Sequence, residues 1–280
     1  MFENIEELIE VKRPYYSLDD IKCDANGVSA LVKSEHPMEN EIGGIAAAEV
    51  GRHLAILGSC ALATTNPDKS KHYYLAHRAS LRRIAYPESI VESNYKVDSR
   101  TMYLDKRKGV AHSRLYMDDI HIFDLEVQYH VIKERIFNKL YKDKYVEYDP
   151  SVNNPYAEEY ELVNLGYKEN ELTAMLAPLS PQQCSGHFET HPCLPVAVLM
   201  HALSRSAGRL LSKQLGHNIT YIVDSADICA ENLAFYGDSV CVKVKFIEEI
   251  DGAYFYSCEA NDGDNRIFGH MDIKLVANIA

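Results

Sequence analysis

The sequence predicts an α+β chain built from two like halves, each a long buried helix wrapped by antiparallel strands. Three observations lead there. The 280 residues suit two units of about 140 better than one small domain. Two Ala/Leu-rich helices, one running from Gly43 to Ala63 and one starting at Val196, are apolar nearly all round and so have to be enclosed. Each is preceded by strand-like sequence and followed by a run of strand-like segments, the mark of an internal duplication.

The elements follow in order. Ile21-Lys22-Cys23 and Val28-Ser29-Ala30-Leu31-Val32 flank the turn signal Asn26-Gly27 and read as a hairpin. The first helix is stopped by Asn66-Pro67. Strands are expected near 71–86, 95–105, 110–118 and 120–132, then a short surface helix over 133–144. Tyr148-Asp149-Pro150 through Asn153-Asn154-Pro155 is the best linker, dividing residues 1–148 from 149–280. A strand near 172–176 leads through a Pro-rich loop into the second helix. Strands near 219–230, 238–249, 252–260 and 266–276 follow, with Asp251-Gly252 and Asp262-Gly263 as turns.

Composition narrows the function. With 46% hydrophobic and 25% charged residues the chain is neither disordered nor a disulfide scaffold. Its 29 basic against 41 acidic residues, a formal charge of −12, repel nucleic acid and anionic lipid. Glu49, Arg52 and His53 interrupt the apolar stretch from Ile42 to Ala63, so it is a buried helix rather than a membrane span. Acidic residues near Met1 argue against a signal peptide, and the seven scattered cysteines argue against disulfides; a cytoplasmic location is expected.

The informative segment is Gly186-His187-Phe188-Glu189-Thr190-His191-Pro192-Cys193-Leu194-Pro195, entering the second helix. It resembles the Gly-His-Phe-Pro-Gly-x-Pro-x-Met-Pro-Gly signature of the 3-hydroxyacyl-ACP dehydratases, and Tyr236-Gly237-Asp238 resembles that family's Pro-Gly-Asp corner. The resemblance covers roughly residues 172 to 276 and implies a hot-dog fold, here a double hot dog with one continuous curved sheet. It departs at Glu189-Thr190, at Val196 in place of the helix-opening glycine, and at His201 in place of the catalytic acid. The first half supplies the acid instead: Gly44 and Glu49 align with Val196 and His201 at an offset of 152. Glu35 stands where the first half's histidine belongs, with His36 one place out.

By that resemblance His187 is a base and Glu49 an acid in one shared site, while Glu35 and His201 form a dead reciprocal site. Such chemistry needs a neutral imidazole to take a proton from C2, and a carboxyl whose pKa burial raises by about two units. Backbone N–H groups at Gly44 and Ile45 would hold the thioester oxygen, and Phe188, Pro195 and His53 would line the substrate. The expected activity is a hydro-lyase acting on 3-hydroxyacyl thioesters of acyl carrier protein or coenzyme A, in fatty-acid or polyketide-type metabolism. The alternatives are a hot-dog acyl thioesterase and an inactive acyl-thioester-binding subunit.

Read without the resemblance, Glu49 is a partner for Arg52 or His53 one turn on. Cys184, His187, His191 and Cys193 suggest zinc, but their spacing is irregular, and neither metal nor cofactor is expected. An acidic carrier protein would need a basic patch, for which Arg78/Arg82/Arg83, Lys106-Arg107-Lys108 and Arg205/Arg209/Lys213 are candidates. A homo-oligomer is open.

Overall fold

A computed structural model describes residues 5–25, 27–86, 95–151 and 153–278. Twelve strands form one antiparallel sheet: β1 (Asp19–Asp24), β2 (Gly27–Val32), β3 (His72–Arg83), β4 (Tyr95–Leu104), β5 (Lys108–Met117), β6 (Ile120–Lys133), β7 (Leu162–Lys168), β8 (Glu171–Leu176), β9 (Thr220–Ala230), β10 (Cys241–Ile250), β11 (Ala253–Asn261) and β12 (Ile267–Asn278). Two long helices, α1 (Ala47–Thr65) and α3 (Val196–Leu215), pack on it and on each other, and a short α2 (Glu134–Leu140) follows β6.

Strand order carries the duplication. Across the sheet it reads β1-β2-β4-β5-β6-β3-β9-β12-β11-β10-β8-β7. Replacing each strand of one half by the strand six places later gives the other half in reverse, the pattern of two repeats about a pseudo-two-fold axis. The halves join where β3 pairs β9, from Arg78↔Cys229 to Arg82↔Ser225. Ser80 stands opposite Asp227 there, and its Oγ donates to that carboxylate at 2.8 Å.

Local chemistry accounts for the elements. Period-two burial in β2 (Val28, Ala30, Val32) and β5 (Gly109, Ala111, Ser113, Leu115, Met117) turns one face to the helices. Gly27 has φ +142°, and a Cβ there would sit 2.1 Å from the Ser99 carbonyl oxygen, so the β2 start beside β4 admits only glycine. The expected hairpin is present as β1 and β2, with Asn26 outside the described residues. Helix α3 ends at Gly216 in the left-handed region, φ +76°.

Three expectations change. Helix α1 begins at Ala47 rather than Gly43, because Gly43 and Gly44 take φ of +129° and +84°. The surface helix over 133–144 shortens to α2 and a 3-10 turn at Lys142–Lys144, held by Phe137, whose ring stacks on Tyr73 at 3.6 Å. Strand β7 was not expected, since its residues are mostly polar or exposed. All seven cysteines are free thiols. Among the described residues no helix is long and apolar enough to cross a membrane.

Candidate functional site

The Gly-His-Phe segment is held from both sides. Gly186 has φ +82°, and a Cβ there would lie 2.2 Å from the Lys12 carbonyl oxygen, so only glycine lets the N-terminal segment pass this close. Lys12 N–H in turn donates to the Gly186 carbonyl at 2.8 Å. His187 therefore projects at a fixed angle, its Nδ1 3.1 Å from the Cys193 carbonyl oxygen. A carbonyl only accepts, so Nδ1 carries the hydrogen and Nε2 of the neutral ring keeps its lone pair. Burial pushes the His187 pKa down to about 4, with the Cys193 carbonyl opposing that, which leaves the ring neutral at physiological pH. Phe188 stacks on it at 4.0 Å and Tyr15 meets it edge-on at 4.9 Å.

His187 and Phe188 line a cavity of about 240 Å³ between α1, α3 and the sheet. A smaller chamber of about 60 Å³ adjoins it, and Tyr15, Ala55, Ala76, His77, Val196 and Ala230 line both. Both cavities are lined by Ala76, His77 and Ala230, next to the end of the β3–β9 pairing at Arg78↔Cys229. There β3 bulges, and the His77 ring bonds the Ala230 carbonyl through Nδ1 at 3.0 Å. His130 lies beside His77 with ring centroids 4.5 Å apart. The walls are otherwise mostly apolar, and four of the five α1 residues around the smaller chamber, Ala47, Ala48, Gly51 and Ala55, are small, Arg52 being the fifth.

Electrostatics distinguish the two helix N-termini. Pro195 is the N-cap of α3; Val196, the first helical residue, lines both cavities and Ala197 the smaller. The N–H groups of a first turn have no partner within the helix and carry partial positive charge, so this end suits a carbonyl oxygen. The α1 N-terminus is closed instead: Ala47 N–H donates to Glu41 Oε1 at 2.7 Å. Burial raises the Glu41 carboxyl to about 7, against the Ala47 hydrogen bond and the Arg83 charge. The oxyanion role expected at Gly44 and Ile45 thus meets a helix end already capped by the chain's own carboxyl.

Glu49 does not join His187. It is fully buried and accepts Glu35 N–H at 2.7 Å, His36 N–H at 3.1 Å and Ser34 Oγ–H at 3.3 Å, with His53 Nε2 at 3.4 Å. Burial alone would raise its pKa, but the His53 hydrogen bond and the neighbouring His36, His53 and Arg52 hold it at about 2. An ionised carboxylate with this many donors anchors the 34–36 loop to α1 and has no proton to give, which corrects the expected acid. His187 faces α1 across the larger cavity at Ala55, Ile56 and Ser59, at least six residues and roughly 9 Å along the axis beyond Glu49.

The other expected residues divide in the same way. Phe188 lines the larger cavity, Pro195 caps α3 without lining either, and His53 is buried beside Glu49. At the reciprocal position the first loop does meet the second helix, with the His36 and His201 rings 5.3 Å apart. Glu35 there binds Arg52 rather than His201. Several candidate docking cations are engaged internally: Arg82 holds Asp227 with one guanidinium nitrogen 2.7 Å from the carboxylate, Arg83 bonds the Val223 carbonyl, and Arg205 binds Glu39 and Glu159.

Sequence reasoning did not single out Tyr15, Gly51, Ser59, His77 or His130 as wall residues. One signal was present, the small residues Ala47, Ala48, Gly51 and Ala55 at helical spacing.

No family model matches the chain, and no curated protein does. Solved structures do match in fold over nearly the whole length. An acyl-CoA thioesterase II, TesB2, from Mycobacterium marinum has 10% identity, a TM-score of 0.57, and covers 99% of this chain and 98% of its own. A conserved protein with a hot dog fold from Alicyclobacillus acidocaldarius gives 8% identity, a TM-score of 0.59, and 96% and 100% coverage. A 12:0-ACP thioesterase from Umbellularia californica gives 7%, 0.55, and 95% and 100%. The fold is therefore a hot-dog fold. The hydro-lyase expectation is corrected: the Mycobacterium marinum and Umbellularia californica proteins are named as thioesterases, which are hydrolases, and Glu49, the acid on which the elimination depended, lines neither cavity.

Proposed function

We propose that this chain, as two fused hot dogs of residues 1–148 and 149–280, hydrolyses acyl thioesters carried on coenzyme A or acyl carrier protein. The observation that carries the reading is one neutral imidazole, His187, in the wall of the larger of two adjoining, mostly apolar cavities at the N-terminus of α3. The names of the solved structures that share the fold support it. Nothing in the assignment needs a metal or redox group.

In this reading the acyl group occupies the cavities and its carbonyl oxygen faces the first N–H groups of α3. A water between Nε2 and the carbonyl carbon gives its proton to the imidazole as its oxygen attacks. Charge then builds on the carbonyl oxygen, where the helix end stabilises it. The carbon–sulfur bond breaks, the imidazolium returns the proton to the departing thiolate, and free acid and free thiol result. The Cys193 carbonyl keeps Nδ1 protonated throughout, so the ring turns the same nitrogen to the water in every cycle.

The test is an assay of the chain with a series of acyl-CoA and acyl-ACP thioesters, following free thiol and product acid. Equimolar thiol and acid support hydrolysis. Tight binding with neither product contradicts it and favours a binding subunit.

A further inference from the structure

The rim of the larger cavity carries a charge pattern opposite to that of the chain as a whole. Residues 105–108 and 133–144 hold eight Lys or Arg against three Asp or Glu, in a chain with 29 against 41. Both segments adjoin the cavity. His130 on β6 and Tyr141 at the end of α2 line it, and His130 is exposed. Lys108 stands opposite His130 in the β5–β6 register, and the Arg107 carbonyl accepts Val131 N–H at 2.8 Å, so the β4–β5 turn is fixed beside that rim. Helix α2 is fixed as well, through Phe137, whose ring centre lies 5.5 Å from that of Phe188.

The outward side chains of these elements have little else to hold. Lys106, Arg107, Lys108, Arg135, Lys139 and Lys142 are all exposed, and none forms an ion pair among the described residues. The acids nearby are mostly engaged: Asp105 accepts the Tyr103 hydroxyl and the Arg107 and Lys108 N–H groups, Glu134 pairs with Lys71, and Glu231 on the rim lies 3.3 Å from His270 Nε2. Asp143 stays exposed among the cations. Beside Arg135 and Lys139 on α2 stand two large apolar side chains, Ile136 at 46% and Leu140 at 59% exposed. Positive charge together with apolar area fits an acidic protein surface with apolar contacts of its own, whereas the phosphates of coenzyme A would use the charge and leave the apolar area in water.

We propose that this surface, the β4–β5 turn together with the outer face of α2, docks an acidic acyl carrier protein, which passes its acyl thioester by His130 and Tyr141 into the larger cavity. The inference rests on the acyl-thioester reading and names the carrier within it. A formal charge of −12 repels an acidic partner from most of the chain, so the local cations decide where it settles. At physiological salt, charges more than about 8 Å away are largely screened, and the cations at the contact outweigh the remote acids. Ile136 and Leu140 then lose water against the partner's apolar side chains, which fixes the docked position.

The test measures binding, so it does not depend on turnover. An acyl carrier protein whose prosthetic thiol carries an S-octyl thioether, and S-octyl-coenzyme A, are titrated calorimetrically into the wild type, Lys139→Glu/Lys142→Glu and Lys106→Glu/Arg107→Glu. The wild type should bind the carrier, and less tightly as salt rises. Each pair of reversals turns two attractive contacts into repulsive ones, so carrier binding should weaken about tenfold or more while S-octyl-coenzyme A stays within about twofold of the wild type. Should either double variant fail to fold, Leu140→Ser decides: it changes no charge and should weaken the carrier alone. No carrier binding by the wild type, unchanged carrier binding in a folded variant, or equal loss for both ligands overturns the inference. Carrier binding with this charge dependence but no thioester hydrolysis would sink the hydrolase reading and leave this one standing; hydrolysis of octanoyl-CoA with no carrier binding would do the reverse.

Discussion

His187 Nδ1 lies 3.1 Å from the carbonyl oxygen of Cys193, six residues further on, and this contact makes Nε2 the lone-pair nitrogen of the ring. A proton acceptor in a cavity wall has to be uncharged at working pH, and the burial that lowers the His187 pKa to about 4 secures that. Thioester hydrolysis should therefore rise with pH through about 4 as the ring loses its proton, and stay level towards neutrality. A pH profile of kcat/KM checks it.

Stability should also depend on pH. Burial lowers His36 to about 3 and His187 and His201 to about 4, all below the 6.5 of a free imidazole. Groups held neutral in this way give their full contribution above pH 6.5 and lose it as pH falls towards their folded values, at most about 3–5 kcal/mol each. Glu41 works in the opposite direction: raised to about 7, it favours the fold below pH 4.5 and loses that contribution as pH climbs through 7. Thermal unfolding across this range should show falling stability from pH 6.5 to 4.

Glycine at 186 is a geometric requirement. The Gly186→Ala protein combines a left-handed residue with a Cβ 2.2 Å from the Lys12 carbonyl oxygen and 2.8 Å from Tyr15 N. Denaturant unfolding should register a loss of about 2 kcal/mol or more, and activity should fall with it as His187 is displaced.

Gly51→Ala should have the contrary effect. Its Cβ meets open space, so removing the helix penalty should stabilise the protein by about 0.5–1 kcal/mol in the same measurement.

The duplication, both long helices and most strands were legible in the sequence because burial and turn chemistry write themselves locally as apolar runs and Asn/Asp-Gly pairs. Strand β7 was not, since its side chains are mostly solvent-facing and it is held by backbone pairing to β8. In the site, the Gly-His-Phe-x6-Pro spacing located His187 and Phe188, because glycine at 186 and the cap at Pro195 are local constraints. The partner across the cavity is a matter of how two helices register against two loops. An offset counted from sequence put Glu49 there, whereas packing put Ala55 and Ser59 there and left Glu49 to tie down its own loop. Its alternative reading as a partner of His53 is the one the structure displays.

The separation of His187 from Glu49 is tested most directly by comparing free-thiol release from octanoyl-CoA by the wild type, His187→Gln and Glu49→Gln, normalised to folded protein. In His187→Gln kcat should fall about a hundredfold or more. Glu49→Gln should lose stability, by about 2–4 kcal/mol, while the molecules still folded keep their turnover. Equal loss of turnover in both variants at full stability, or full activity in His187→Gln, would contradict it.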